Sequence, residues 1–206
     1  MKTLIAICCI DERVLELQNC LKHLKNKNVI GVCREKDVYC QKAVNCLLVD
    51  NYNIANGTRH NIHGIATQRN KALSYARRCK YDRLIFIDSD IQIKWYTIAY
   101  LLLGTMFADI SCIAYPIRWA TMQPVVGFDN PPSIQVVRFG WMPFQKCSVA
   151  GMGCTCINVN SNKIPDRFVY GEALGIHGED IGFFLAAKQN GASVFVAKWS
   201  IAEHRY

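Results

Sequence analysis

The stretch RLIFIDSDIQI, residues 83–93, sets two carboxylates at the end of an apolar run. Leu84 to Ile87 have the side chains of a buried β-strand, and Asp88-Ser89-Asp90 follow without a break. In extended backbone, residues two apart point to the same side, so Asp88 and Asp90 would share a face and repel. A divalent cation between them removes the conflict, because oxygen-rich sites suit Mg2+ and Mn2+. An ion with only two protein carboxylates keeps coordination positions open, and these suit the phosphate oxygens of a nucleoside diphosphate. The plainer alternative has Asp88 capping a following helix and Asp90 in solvent. Asp-x-Asp alone leaves both readings open.

Other groups of chemical interest are spread along the chain. Glu179-Asp180 begin GEDIGFFLAAKQNG, where Ile181, Phe184 and Leu185 share one helical face and Asn190-Gly191 form a stop signal. Acidic residues in a first turn stabilise a helix by about 0.3–1 kcal/mol through its dipole, which is account enough for one of the two. Arg69-Asn70 stand near the start of a helical pattern over 65–79. Gly151 and Gly153 interrupt a strand pattern, either to admit a close backbone approach or to relieve a bulge. His60 and His63 lie in a loop, NGTRHNIHG, at a spacing that does not match a helix-borne metal pair.

The cysteines number 11, an odd count with no Cys-x-x-Cys pair. Zinc ribbons and disulfide frameworks need spacings that are absent, so these read as reduced, mostly buried thiols. No Gly-x-x-x-x-Gly-Lys loop is present, which excludes P-loop chemistry.

The elements that must position these groups follow from the apolar pattern. Residues 3–10, 29–33, 46–50, 83–88 and 110–115 read as short apolar strands, with helical patterns over 12–25, 65–79 and 95–106 between them. That alternation predicts a mostly parallel sheet covered on both faces. Residues 120–133 read as loop. Strands are predicted in IQVVRFGWM, SVAGMGCTCINVN and SVFVAKW, with the Glu179 helix before the last. A length of 206 residues suits one domain, and 51% hydrophobic content suits a sizeable core rather than disorder. The net charge of +8 favours anionic partners, yet the basic residues are scattered and read as solvated surface, with no nucleic-acid partner expected. The opening MKTLIAICCI is followed at once by Asp11-Glu12-Arg13, so it reads as a strand rather than a signal peptide. The apolar run 95–108 is shorter than the ~20 residues of a membrane span.

Taken in order, these features resemble a nucleotide-sugar glycosyltransferase of the GT-A fold. The match runs through the opening strand AICCIDER, Asp50 at a strand tip, ATQRNKAL, the strand into DSD, AGMGCTCI, GED at a helix start and EHR near the end. No one of these motifs is specific, but the ordered set is. The size and cysteine-rich style also resemble glycosyltransferase domains encoded by large algal DNA viruses, the chloroviruses.

The resemblance implies a single α/β/α sandwich with a mixed, mostly parallel central sheet over 1–206. Its nucleotide-binding half would be 1–118 and its acceptor and donor-sugar half 119–206. It implies Mn2+ or Mg2+ held by Asp90 and Asp88, with His204 as third ligand. Asp50, Arg69, Asn70, Asp88, Lys198, Gly151 and Gly153 would surround a UDP-sugar, with Arg69 holding a base carbonyl or phosphate. Glu179 and Asp180 would face sugar and acceptor as catalytic residues. A His ligand resembles several retaining families, so retention is expected. The acceptor would be a hydroxyl on a glycan or glycoprotein, the compartment the cytoplasm (a host's, for a viral protein), and the chain part of a longer multidomain protein. Without the resemblance, Arg69 is a solvated first-turn residue and His204 an exposed terminal one. Two other function classes stay open: Mg2+-dependent nucleotidyl or phosphoryl transfer, and a non-catalytic sugar- or nucleic-acid-binding module. Phosphatases of the haloacid-dehalogenase type carry Asp-x-Asp on their first strand with Thr or Ser soon after, whereas Ile91-Gln92 follow here.

Overall fold

The first strand, β1 (Thr3–Cys8), is apolar on both faces. Leu4, Ala6 and Cys8 point into one buried cluster, and Ile5 and Ile7 into another. The fourth strand, β4 (Arg83–Asp88), repeats this, with Leu84 and Phe86 on the first face and Ile85 and Ile87 on the second. A strand of this kind needs cover on both sides, and helices supply it. The structure is a computed structural model that describes residues 1–25, 27–50, 62–114, 126–127, 144–169, 171–173, 176–197 and 202–204, with backbone alone for 62–63, 126–127, 171–173, 176–177 and 202–204.

After β1 come a 3-10 turn (Asp11–Arg13), α1 (Val14–Leu21), β2 (Val29–Arg34), α2 (Val38–Ala43), β3 (Cys46–Val49) and α3 (Ile62–Arg78). Then follow β4, β5 (Ile91–Ile93), α4 (Thr97–Gly104), β6 (Ile110–Ile113), β7 (Val126–Gly127), β8 (Phe144–Lys146), β9 (Val149–Ala150) and β10 (Cys154–Asn158). The chain continues with β11 (Gly171–Ala173), β12 (Ile176–Gly178), α5 (Glu179–Gln189), β13 (Val194–Ala197) and β14 (Ala202–His204).

Eight strands form one sheet in the order β3-β2-β1-β4-β10-β6-β13-β8. β3, β2, β1 and β4 run parallel, β6 and β13 run parallel to each other, and β10 and β8 are antiparallel to their neighbours. The sheet is therefore mixed and mostly parallel, as expected. On one face lie α3 and α5, whose Ala72, Leu73, Ala76, Phe183, Phe184 and Ala187 fill the first cluster. On the other lie α1, α2 and α4, with Leu17, Cys20, Cys40, Ile98 and Leu101 in the second. The result is the three-layer sandwich.

Several details differ from the sequence reading. The helix expected over 12–25 is divided into the 3-10 turn and α1. The pattern over 148–160 is two strands, β9 and β10, separated by Gly151-Met152-Gly153. Neither the six-residue α2 nor the β11–β12 hairpin was anticipated. The strand expected in IQVVRFGWM, residues 134–142, lies outside the described residues. All 11 cysteines are free thiols, nine of them buried, in agreement with the expectation. Among the described residues no helix is long and apolar enough to cross a membrane.

Candidate active site

Parallel strands bring their carboxyl ends to one edge, and ligands of open α/β sheets bind there. Asp88 is the last residue of β4 and is paired in register with Cys8 of β1. Its backbone N–H donates to the Gly153 carbonyl at 2.8 Å, so the glycine-containing link between β9 and β10 fixes where β4 ends. Residues 89–90 then form a turn, and the chain resumes as β5 rather than as a helix. This rules out the plainer alternative for Asp88. Asp88 caps no helix, since α4 begins only at Thr97. Each of the two carboxylates has an arginine beside it.

Both carboxylate oxygens of Asp88 accept from Arg69 Nη2, at 3.0 and 3.2 Å. The other terminal nitrogen of Arg69 donates to Glu179. Arg69 is buried in the eighth position of α3, well inside the helix rather than in a solvated first turn. Burial works against its charge, but Asp88 and Glu179 more than offset this and raise its pKa. Its Nε is buried with no hydrogen-bond partner among the described residues. Asp90 pairs with Arg13, on the opposite face of the sheet from α3. Asp88 retains 31% side-chain exposure and Asp90 14%, so both border solvent. A cleft of about 170 Å3 opens beside Asp90, with Glu16, Lys22 and His23 of the α1 segment in its wall.

Glu179 and Asp180 open α5. Glu179 is buried against Arg69. The Asp180 carboxylate accepts from the Ile181 backbone N–H at 2.8 Å. Burial first, and the Glu179 charge second, push its pKa up to about 6. A Cβ at Gly178 would stand 2.5 Å from an Asp180 carboxylate oxygen. Cys8 lies beside this group, but burial pushes its thiol up to about 12, which keeps it protonated.

The other predicted residues are placed as follows. Asp50 is exposed just beyond β3, on the same sheet edge. Three strand spacings separate β3 from β4, or about 14 Å. Asn70 is occupied in clamping Phe168: its amide donates to the Phe168 carbonyl at 3.0 Å and its oxygen accepts the Phe168 N–H at 2.6 Å. Gly151 is buried and its carbonyl accepts from the Thr155 hydroxyl at 3.1 Å. The backbone of β14 is antiparallel to β5 with His204 opposite Ile91, one residue from Asp90. The His204 and His63 side chains, Lys198 and His60 lie outside the described residues.

Sequence reasoning missed the two partners that neutralise the acidic pair in this arrangement. Arg13 and Asp90 are 77 positions apart, Arg69 and Asp88 are 19 apart, and Arg69 and Glu179 are 110 apart. No local signal connects such residues. Also missed was the anchor beneath Arg13, where buried Arg34 is held by Asp37 through bonds of 2.6 and 2.8 Å.

The donors present fit a hard divalent cation. Asp88 and Asp90 offer carboxylate oxygens, and the β5–β14 register brings the His204 backbone alongside. Among the described residues, no three His, Cys, Asp or Glu side chains are gathered around one point.

No family model matches the chain, and no curated protein matches it. Solved structures do. Staphylococcus aureus TarS residues 1–349 in complex with UDP-GlcNAc superposes with a TM-score of 0.60 at 16% identity, over 98% of this chain and 58% of that one. The same TarS segment alone gives 0.56 at 16% identity, over 99% and 60%. GalNAc-T7 with UDP, GalNAc and Mn2+ gives 0.61 at 11% identity, over 100% and 44%. The chain thus spans 44–60% of the length of these three structures. At such identities the likeness is one of architecture, and the chain has the GT-A fold.

Proposed function

We propose that this chain is a divalent-metal-dependent glycosyltransferase that moves a sugar from a UDP-sugar to a hydroxyl of a glycan or glycoprotein. One observation carries this: Arg69 joins Asp88, on the nucleotide side of the site, to Glu179, on the side assigned to the sugar. Two stretches far apart in sequence are thereby held in a single charged cluster at the strand ends. The fold is shared with structures solved with UDP-GlcNAc and with UDP, GalNAc and Mn2+.

In this reading Asp88 and Asp90, with His204, hold Mn2+ or Mg2+. When bound, the cation supplies Lewis-acid stabilisation of the departing diphosphate. Asp50 and Lys198 face the nucleotide, and the Gly151–Gly153 backbone lies against the donor. Arg69 acts through the acids it holds rather than on the base, because both its terminal nitrogens are engaged. Asp180 takes the proton of the acceptor hydroxyl. With its pKa at about 6, it is ionised at neutral pH yet a stronger base than an ordinary carboxylate. A carboxylate base serving the acceptor favours inversion over the retention that the resemblance implies.

The test is UDP release from a panel of UDP-sugars, with Mn2+ and with EDTA, followed by NMR of the product's anomeric proton. Metal-dependent release with an inverted product is expected. UDP binding without turnover would instead make the chain a nucleotide-binding module.

A further inference from the structure

Arg13 closes the 3-10 turn after β1, and its guanidinium lies on Asp90. The rest of that turn is fastened to β2 and α2. The Asp11 backbone N–H donates to Asp37 at 3.2 Å, and the Asp11 carboxylate accepts the Cys40 N–H at 2.8 Å. Glu12 accepts from buried Arg34 at 2.8 Å. Arg13 is the residue of the turn left to face Asp90, with 26% of its side chain exposed. A guanidinium in that place neutralises Asp90 much as a divalent cation would. The two positive charges repel if both occupy the carboxylate.

We propose that Arg13 makes cation loading conditional on the nucleotide, an inference that rests on the metal reading above. In the free protein Arg13 holds Asp90 against the cation. When a nucleoside diphosphate arrives, the guanidinium moves to its phosphate oxygens, for which the planar donor fork is suited. Asp90 is then released to the cation. Cation and diphosphate therefore bind with positive coupling, each strengthening the other by the same factor.

Mn2+ binding, read from loss of the free-ion EPR signal with and without UDP, tests this in wild type, Arg13→Gln and Arg13→Lys. Without UDP, Arg13→Gln should bind Mn2+ about thirtyfold more tightly, the effect of removing one unit charge about 4 Å from a divalent ion in a water-like dielectric. Its gain on adding UDP should shrink, while Arg13→Lys, which keeps the charge but not the fork, binds Mn2+ without UDP as wild type does and shows a smaller gain on adding UDP. An Arg13→Gln affinity without UDP that equals or falls below wild type overturns the inference and leaves the metal assignment standing. If none of the three proteins takes up Mn2+, with or without UDP, the metal reading falls and this inference with it.

Discussion

Asp180 is a carboxylate held under conflicting demands. Burial and the neighbouring Glu179 raise its pKa from 3.8 to about 6. The folded chain thus binds this proton more tightly than the unfolded chain does. The stability it contributes is complete below about pH 4 and is lost as pH rises through about 6. Asparagine cannot ionise and avoids that loss. Metal-free Asp180→Asn should therefore melt higher than wild type at pH 7.5, with the difference closing by pH 4. The same variant should lower turnover by about 10²- to 10⁴-fold, the usual contribution of a general base, while UDP affinity stays near wild type. A variant that melts lower at every pH would make Asp180 a helix-stabilising residue instead. The acids themselves were legible in sequence, since Asp88, Asp90, Glu179 and Asp180 stand out beside apolar runs. Their environments were not, because burial of Asp180 is a tertiary property and the arginine partners of Asp88, Asp90 and Glu179 lie 19, 77 and 110 positions away.

Among the elements, those with strong patterns were read well. β1 and β4 are continuous apolar runs, and α3 shows Ala72, Leu73 and Ala76 on one face. The short elements α2 and β5 gave no signal, because six and three residues are too few to show a period. β5 has a further cause: among the described residues its strand partner is β14, which arrives 111 residues later. Packing between elements sets a second prediction. Gly104 ends α4 against β6, and a Cβ there would stand 2.7 Å from the Ser111 Cβ and 3.1 Å from the Phe144 ring. The Ser111 hydroxyl can turn away, having no described partner, but its Cβ is fixed by the strand. Gly104→Ala should cost about 1–3 kcal/mol, as overpacking usually does. Urea unfolding should show a lower midpoint with an unchanged slope. An unshifted midpoint would mean that α4 slides freely over β6.

At the scale of the whole molecule, the candidate site joins residues from most of the chain, so ligand binding should stabilise the fold globally. A UDP-sugar at a hundred times its dissociation constant adds about 2.7 kcal/mol. For a domain of this size that is a rise in Tm of roughly 5–10 °C. The rise should require Mn2+ or Mg2+ and should vanish in Asp90→Ala. A shift that is the same with EDTA present would remove the cation from the site.

The alternation of apolar runs with helical patterns determined a covered, mostly parallel sheet from the sequence alone, and the acids at the end of β4 and the start of α5 marked the edge proposed as the site. Those are local properties of composition and period. Only the tertiary structure decided that β10 lies antiparallel between β4 and β6, that Arg69 links Asp88 to Glu179, and that Arg13 occupies Asp90. Strand order and ion pairing are contacts across long sequence separations, settled by which faces must be buried together and which charges must be neutralised there.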